Sequence, residues 1–429
     1  MAFMRTDILL PKFSDDSEKM NKWSVVACDQ YTSEPEYWNA VQSVTEGSDS
    51  TLYLTVPEIY LNDADIAQRI ERTNATMKEY MEKEVFYEHK NAYIFVERTL
   101  RNGVKRLGIV GAVDLEEYDY TAGSKTKIRA TEGTVVSRIP PRLQVRKDAP
   151  IELPHIMLLI DDEACDIIEP NEALTNTFQK VYDFDLMQNS GHIAGYKLSE
   201  EAADLLDKKL TALSDPDAFQ QKYGVSESSP LVYAMGDGNH SLATAKTYYE
   251  NLKKEIGEDA AKSSPARYAL CELVNLHDKS LVFEAIHRVI FDADGDAFLK
   301  ALEQEYTVSY DESADGQSFI YVHNGKEQKV TVTNPTEYLT VATLQKALDT
   351  FVAENGGEID YIHGDDVVKN LCKDSKNFGI ILDAMEKTDL YKSVILDGAL
   401  PRKTFSMGDA CDKRFYTEAR KIKYSKRLW

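Results

Sequence analysis

The sequence predicts a mixed α/β (α+β) fold, and three observations carry that prediction. Leu231-Val-Tyr-Ala-Met235 is a short apolar run rich in Val and Tyr. It leads through Gly236-Asp-Gly-Asn-His-Ser241 into Leu242, Ala245, Tyr249, Leu252 and Ile256, which recur at helical spacing until Gly257. Asn102-Gly103 and Asn324-Gly325 each separate two strand-like runs, the composition of a two-residue hairpin turn. Helical and strand-like stretches alternate along 429 residues, a length that favours more than one domain.

Taken in order, residues 1–50 read as irregular and aromatic-rich, with a short strand inside Lys22–Asp29 and a helix starting near Pro35. Asp63 to Val85 reads as a helix, because Ile66, Ile70, Met77, Tyr80 and Met81 share one face. Ala92–Glu97 and Val104–Val113 form the first hairpin. Ile156–Ile160 is a buried-type strand, and Asn171–Asp183 reads as a helix. Ser199 caps a helix through Leu213, with Glu200 and Glu201 where the dipole favours acids. Arg267–Leu276 and Leu281–Phe291 read as strands. Asp292-Ala-Asp-Gly-Asp296 is an acidic linker that lacks the distal glutamate of a calcium loop. Beyond it lie a helix at Ala297–Glu305, strands at Thr307–Tyr310, Ser318–His323 and Gln328–Val332, and a helix at Leu344–Ala353. These readings place a main body at 1–291, an inserted or appended α+β lobe at 292–396, and a C-terminal return to the main body at 397–429.

Composition excludes several classes. Lys+Arg is 50 and Asp+Glu is 72, a net charge of −22, which repels phosphodiester backbones and argues against nucleic-acid partners. Five scattered cysteines without a C-x-x-C pair suit a reducing cytoplasm and argue against a disulfide framework or a cysteine zinc site. No stretch approaches the roughly 18 apolar residues of a membrane span, so no membrane role is expected.

The chemistry gathers in a few stretches. Gly236, Gly238, Asn239, His240 and Ser241 form a glycine-containing loop at a helix N-terminus, where free N–H groups and the dipole favour an anion. An ordinary turn with Ser241 or Asn239 as N-cap is the plainer alternative. The loop is neither a Walker loop nor a dinucleotide fingerprint. A second stretch, Ile128-Arg-Ala-Thr-Glu-Gly-Thr134 and Ser137-Arg-Ile-Pro-Pro-Arg142, gathers Arg129, Arg138 and Arg142 near Glu132. It reads as an anion contact or as a solvated salt-bridged loop. Glu132 and Asp237 are the candidate bases, with Asp237 also the candidate Mg²⁺ ligand. Arg142, Arg288, Arg402 and Lys403 are the candidate phosphate counter-charges. Cys28 and Asp29-Gln30 are weaker candidates, Cys28 serving equally as a buried small hydrophobe. These are the parts phosphoryl transfer requires.

The order of Ile128–Thr134, Met235-Gly-Asp-Gly-Asn-His240, Ile286-His-Arg288 and Leu400-Pro-Arg-Lys-Thr404 resembles the bacterial family called domain of unknown function 1015. The resemblance covers nearly the whole chain. It implies a ParB/sulfiredoxin-like core at about 92–291 and kinship with free-serine kinases. In those, a glutamate serves as base and a D-G-H-H-R loop binds phosphate. Glu132 matches the glutamate, and Asp237, Gly238 and His240 match the loop. Asn239 replaces the first histidine and Ser241 the arginine, so one phosphate donor is lost. The implied activity is phosphate transfer from ATP or ADP, with Mg²⁺, to a small hydroxylated metabolite such as free serine. The alternatives are a ParB-like nucleotide-binding regulatory module without catalysis and a metal-assisted hydrolase using Asp237 and His240.

Overall fold

The fold is described from a computed structural model, for residues 1–121 and 123–424. The first of two compact units comprises Met1–Ala130, Thr134–Leu281 and the chain from Gly408 onward. The second comprises Val282–Met407 with the three residues Thr131–Gly133.

The first unit is built on one mixed sheet. Its strands run in the order Gln179–Asp185, His192–Lys197, Ile94–Thr99, Lys105–Asp114, Tyr268–Asn275, Met157–Ile160, Tyr233–Asp237, Ile128–Arg129 and Tyr118–Asp119. Met157–Ile160 lies parallel to Tyr268–Asn275, and Tyr233–Asp237 parallel to Ile128–Arg129. Both faces are covered, and the period-two alternation of a strand shows it directly. Ile94 and Val96 point into a cluster with Trp23, Trp38 and Val110. Phe95 between them points into the opposite cluster, with Ile109, Leu158, Met235 and Leu242. The helix Asn239–Ile256 packs on that second face through Leu242, Ala245 and Tyr249.

The second unit holds its own antiparallel sheet, in the order Val308–Ser309, Lys326–Val332, Gln317–His323, Phe378–Ile381, His287–Phe291 and Glu358–Ile362. The helices Gly295–Glu305 and Thr340–Asn355 belong to it. Composition shifts at Asp292, but the chain enters this unit at Val282, because His287–Phe291 is one of its inner strands. It leaves at Met407, whose strand pairs with Phe283–Ala285.

Local signals held where turn chemistry fixed them. Ile94–Thr99 pairs with Lys105–Asp114 across Gly103 at φ +83°. Gln317–His323 pairs with Lys326–Val332 across Asn324 and Gly325, both at positive φ as the primed turn requires. Other expectations are corrected. Residues 171–183 are not a helix: a 3₁₀ segment Glu169–Thr177 gives way to the edge strand Gln179–Asp185. Pairing with His192–Lys197 and burial of Val181, Tyr182 and Phe184 outweigh local propensity there. Residues 1–50 are not irregular, since Thr6–Pro11 is a strand and Ser17–Trp23 a helix capped by Asp16. The arginine-rich stretch is not a loop throughout: Ile139–Asp148 is a helix with proline in its first turn.

Candidate functional site

The site in the first unit is organised by the N-terminus of Asn239–Ile256. The strand Tyr233–Asp237 ends between two neighbours, and Gly238, at φ +79°, turns the chain into the helix. The Gly238 N–H donates to Asp237 Oδ1 at 2.8 Å. No described side chain caps this helix, whereas Ser199 and Asp215 cap two others in the same unit. The first-turn N–H groups therefore face outward with the positive end of the dipole, the arrangement that accepts an anion.

Charged and polar side chains gather around this end. Lys413 Nζ lies 3.2 Å from Asp237 Oδ2, on the C-terminal segment that has returned to this unit. Ser241 Oγ is 2.8 Å from His155 Nε2, and Tyr416 Oη is 2.7 Å from His155 Nδ1. Asp29 Oδ2 lies 3.8 Å from the same Nε2. Burial pushes the Tyr416 phenol well above its ordinary value, so it keeps its proton. Its oxygen accepts the Cys28 N–H at 3.1 Å, and we assign its own proton to His155 Nδ1. His155 then carries its proton on Nε2 and donates towards Ser241 and Asp29. Ser241 is an acceptor from this imidazole, not a hydroxyl that it deprotonates. Burial also pushes the Cys28 thiol up to about 12, which removes it as a thiolate nucleophile.

Arg142, on Ile139–Asp148, pairs with Glu58 and donates Nη1 to the Arg138 carbonyl at 2.7 Å. His240 feels this neighbourhood. Burial first, and then the charges of Arg142 and Arg138, lower it from 6.5 to about 4. Its Nε2 and Asn239 Oδ1 are buried without a hydrogen-bond partner among the described residues. The neutral imidazole is thus a stability element with a defined sign. Unfolded, His240 takes up a proton near 6.5; folded, only near 4. Its contribution is complete above pH 6.5 and is lost as pH falls through that window. We expect His240→Asn to flatten the fall in unfolding free energy between pH 7 and pH 5, measured by urea denaturation of both proteins. Equal slopes would overturn this assignment.

The remaining sequence candidates belong to the second unit. Glu132 forms a parallel bridge with Leu400. Arg288 is only 1% exposed, and main-chain carbonyls take up its guanidinium: it donates to Ile286 O and to Lys403 O at 3.0 Å, with Gln345 Oε1 at 3.2 Å. A buried arginine bonded in this way shapes the Arg402–Lys403 turn, and this is a correction to its reading as a phosphate counter-charge. Arg402 is exposed and donates Nε to Tyr361 Oη at 2.6 Å. Lys403 takes a positive φ of 57°.

The structure therefore brings together Arg142 and Gly236–Ser241 in one unit and Glu132, Arg288, Arg402 and Lys403 in the other. Sequence reasoning missed His155, Lys413, Tyr416 and Glu58. Only His155 had a local signal, as a lone imidazole at the entrance to a buried-type strand. The groups of described residues that could hold a metal by themselves are Asp161, Glu163 and His277, and Asp409, Cys411 and Asp412. Neither includes Asp237 or His240.

Fold and site thus define a mixed α/β protein whose central turn presents an uncapped helix N-terminus beside a lysine and a hydrogen-bonded histidine–tyrosine pair. The chain belongs to the family described as "Protein of unknown function (DUF1015)", whose model matches residues 12–351. No curated protein matches it. Among solved structures, a conserved hypothetical protein from Pyrococcus furiosus is 11% identical, covering 72% of this chain and 96% of its own, at a TM-score of 0.34. A free serine kinase in complex with AMP is 12% identical, covering 72% and 92%, at 0.37. SbnI from Staphylococcus aureus, truncated at its C-terminus, is 8% identical, covering 72% and 85%, at 0.36. No helix among the described residues is long and apolar enough to cross a membrane.

Proposed function

We propose that this protein is a cytoplasmic, nucleotide-dependent phosphotransferase with a ParB/sulfiredoxin-like core, acting on a small hydroxylated metabolite. The observation that carries the reading is the uncapped, glycine-led N-terminus of Asn239–Ile256 with Lys413 beside it. The first-turn N–H groups and the Ser241 hydroxyl hold the phosphate oxygens, and Lys413 supplies the charge that the loop lost when serine replaced arginine. Arg138 and Arg142 add positive potential on the His240 side. His240 stays neutral and offers Nε2 as a hydrogen-bonding group.

Lys413 faces two carboxylates, Asp237 at 3.2 Å and Asp29 through its charge. The Lys413 ammonium on Asp237 Oδ2 takes the place a divalent cation would need on that carboxylate, so these residues do not fit a protein-held Mg²⁺, and any Mg²⁺ would be carried by the phosphates of the nucleotide. In the transfer, the acceptor oxygen forms a bond to the terminal phosphorus, the bond to the nucleotide oxygen breaks, and the acceptor proton passes to a carboxylate. Within the first unit, Asp237, whose Oδ1 accepts the Gly238 N–H, and Asp29, beside His155, are the carboxylates available to take it.

A regulatory nucleotide-binding module remains as a second reading because Ser241 contributes no cation. The test is thermal shift and isothermal titration with ATP, ADP and inorganic phosphate, each with and without Mg²⁺, followed by a hydroxyl-metabolite screen. We expect ADP to stabilise the protein and Lys413→Ala to weaken ADP binding by about tenfold, the loss of one charge-assisted contact. Binding that survives Lys413→Ala unchanged would overturn the phosphate site. Binding without turnover would favour the regulatory reading.

A further inference from the structure

The cavity that opens beside this helix end has a chemistry of its own. Its volume is about 150 Å³, and Ser241, His155 and Arg142 stand in its wall. The rest of that wall is largely aliphatic, including Leu54, Val56, Met77, Ile151, Ile156 and Leu270. Most of its polar groups are already satisfied within the protein. Thr244 donates to the His240 carbonyl at 2.7 Å, Thr55 to the Thr51 carbonyl at 3.1 Å, and Glu152 is held by Arg146 and Arg420. Burial keeps the Cys28 thiol neutral. The exception is Arg146 Nε, buried without a hydrogen-bond partner among the described residues, which a ligand carbonyl or ether oxygen would satisfy.

A free amino acid of serine's polarity would enter with an ammonium and a carboxylate. The charged groups it would meet already pair within the protein, Arg142 with Glu58 and Arg146 with Glu152. A carbon skeleton meets no such cost. A cavity of about 150 Å³ takes a group of roughly benzene size, about six heavy atoms.

We propose that this cavity binds the carbon skeleton of the acceptor, and that the acceptor is an aliphatic or aromatic alcohol or its phosphate ester rather than free serine. This rests on the phosphate site proposed above. The hydroxyl or phosphate sits at Ser241 and the helix end, and the apolar body fills the space bounded by Leu54, Met77 and Leu270.

The experiment titrates the intact protein with inorganic phosphate, methyl phosphate, 3-methylbutyl phosphate and O-phospho-L-serine. Each buried methylene tightens binding about fourfold. We expect 3-methylbutyl phosphate to bind at least about tenfold tighter than methyl phosphate, and O-phosphoserine no tighter than methyl phosphate. Leu61→Trp, at a half-buried position of the wall, fills the space and should abolish the alkyl increment while leaving inorganic phosphate binding intact. Val56→Phe repeats the test should that variant fail to fold. Equal affinity across the esters, or tighter binding of O-phosphoserine, overturns the apolar-acceptor proposal and leaves the phosphate site standing. No binding of any phosphate compound overturns both.

Discussion

Replacing Arg414 by Met is expected to cost about 3–5 kcal/mol of unfolding free energy, the penalty for stranding buried charges. Arg414 is buried between Glu272 and Glu418, with Nη1 on the first and Nη2 2.5 Å from the second. Glu418 is fully buried and also accepts from Tyr182 Oη at 2.5 Å. Glu272 is 2% exposed, and its other oxygen has no hydrogen-bond partner among the described residues. Removing the guanidinium leaves two buried carboxylates without the cation that bonds both of them. Urea denaturation reads the loss, and a cost below about 1 kcal/mol would show that the network relaxes. Lys12→Ala is the control, because Lys12 and its partner Glu84 are both exposed, and surface pairs contribute about 0–1 kcal/mol. Adding Glu272→Gln and Glu418→Gln to the Met variant should restore part of the loss, since neutral amides need no cation.

The same substitution should also remove ADP binding. Arg414 Nε donates to the Pro154 carbonyl at 3.2 Å, directly before His155, and Arg414 lies between Lys413 and Tyr416 in the chain. One guanidinium thus ties together two segments that each deliver side chains to the helix end. This arrangement explains why a stretch that reads as nondescript in sequence carries the site lysine.

What could be read in the sequence was whatever a short segment dictates by itself. The Asn-Gly hairpins and the strand-to-helix turn are local, since positive φ, strand propensity and helical period lie within a dozen residues, although the turn is Gly238 alone rather than a loop over Gly236–Ser241. The edge strand Gln179–Asp185 was not legible, because its partner His192–Lys197, not its own composition, decides its conformation. The site shows the same division. The loop announced itself by its density of reactive groups. Lys413 and Tyr416 did not, because their role depends on the chain's return to the first unit. Arg288 shows the opposite failure: its motif neighbours suggested a ligand contact, but a cluster of main-chain carbonyls consumes its donors.

Gly238→Ala is expected to abolish the response to ADP and phosphate, weakening binding by more than about 100-fold while the protein stays folded. A Cβ at this position would lie 3.0 Å from Ile156 Cα, a backbone atom that cannot swing aside, and 3.4 Å from His155 Cδ2. The left-handed conformation itself costs an alanine roughly 1–2 kcal/mol. Together these push the helix N-terminus away from His155 and so spread the group of N–H donors that a phosphate must meet at once. The outcome is interpretable because Gly257 stands at the other end of the same helix, at φ +86°, with nothing within 4 Å of an added Cβ. Gly257→Ala bears the conformational penalty without the collision and far along the helix from the cradle. It should lower unfolding free energy by about 1–3 kcal/mol, because φ +86°, ψ 154° is a conformation essentially restricted to glycine, and leave the ADP titration unchanged. If both variants lose ADP to the same degree, the effect is a general weakening of the helix. If Gly238→Ala still binds ADP like the parent, the loop is a turn and the nucleotide sits elsewhere. Loss confined to Gly238→Ala would place the anion against the N–H groups of Asn239, His240 and Ser241, where a small hydrophobic collision is enough to remove it.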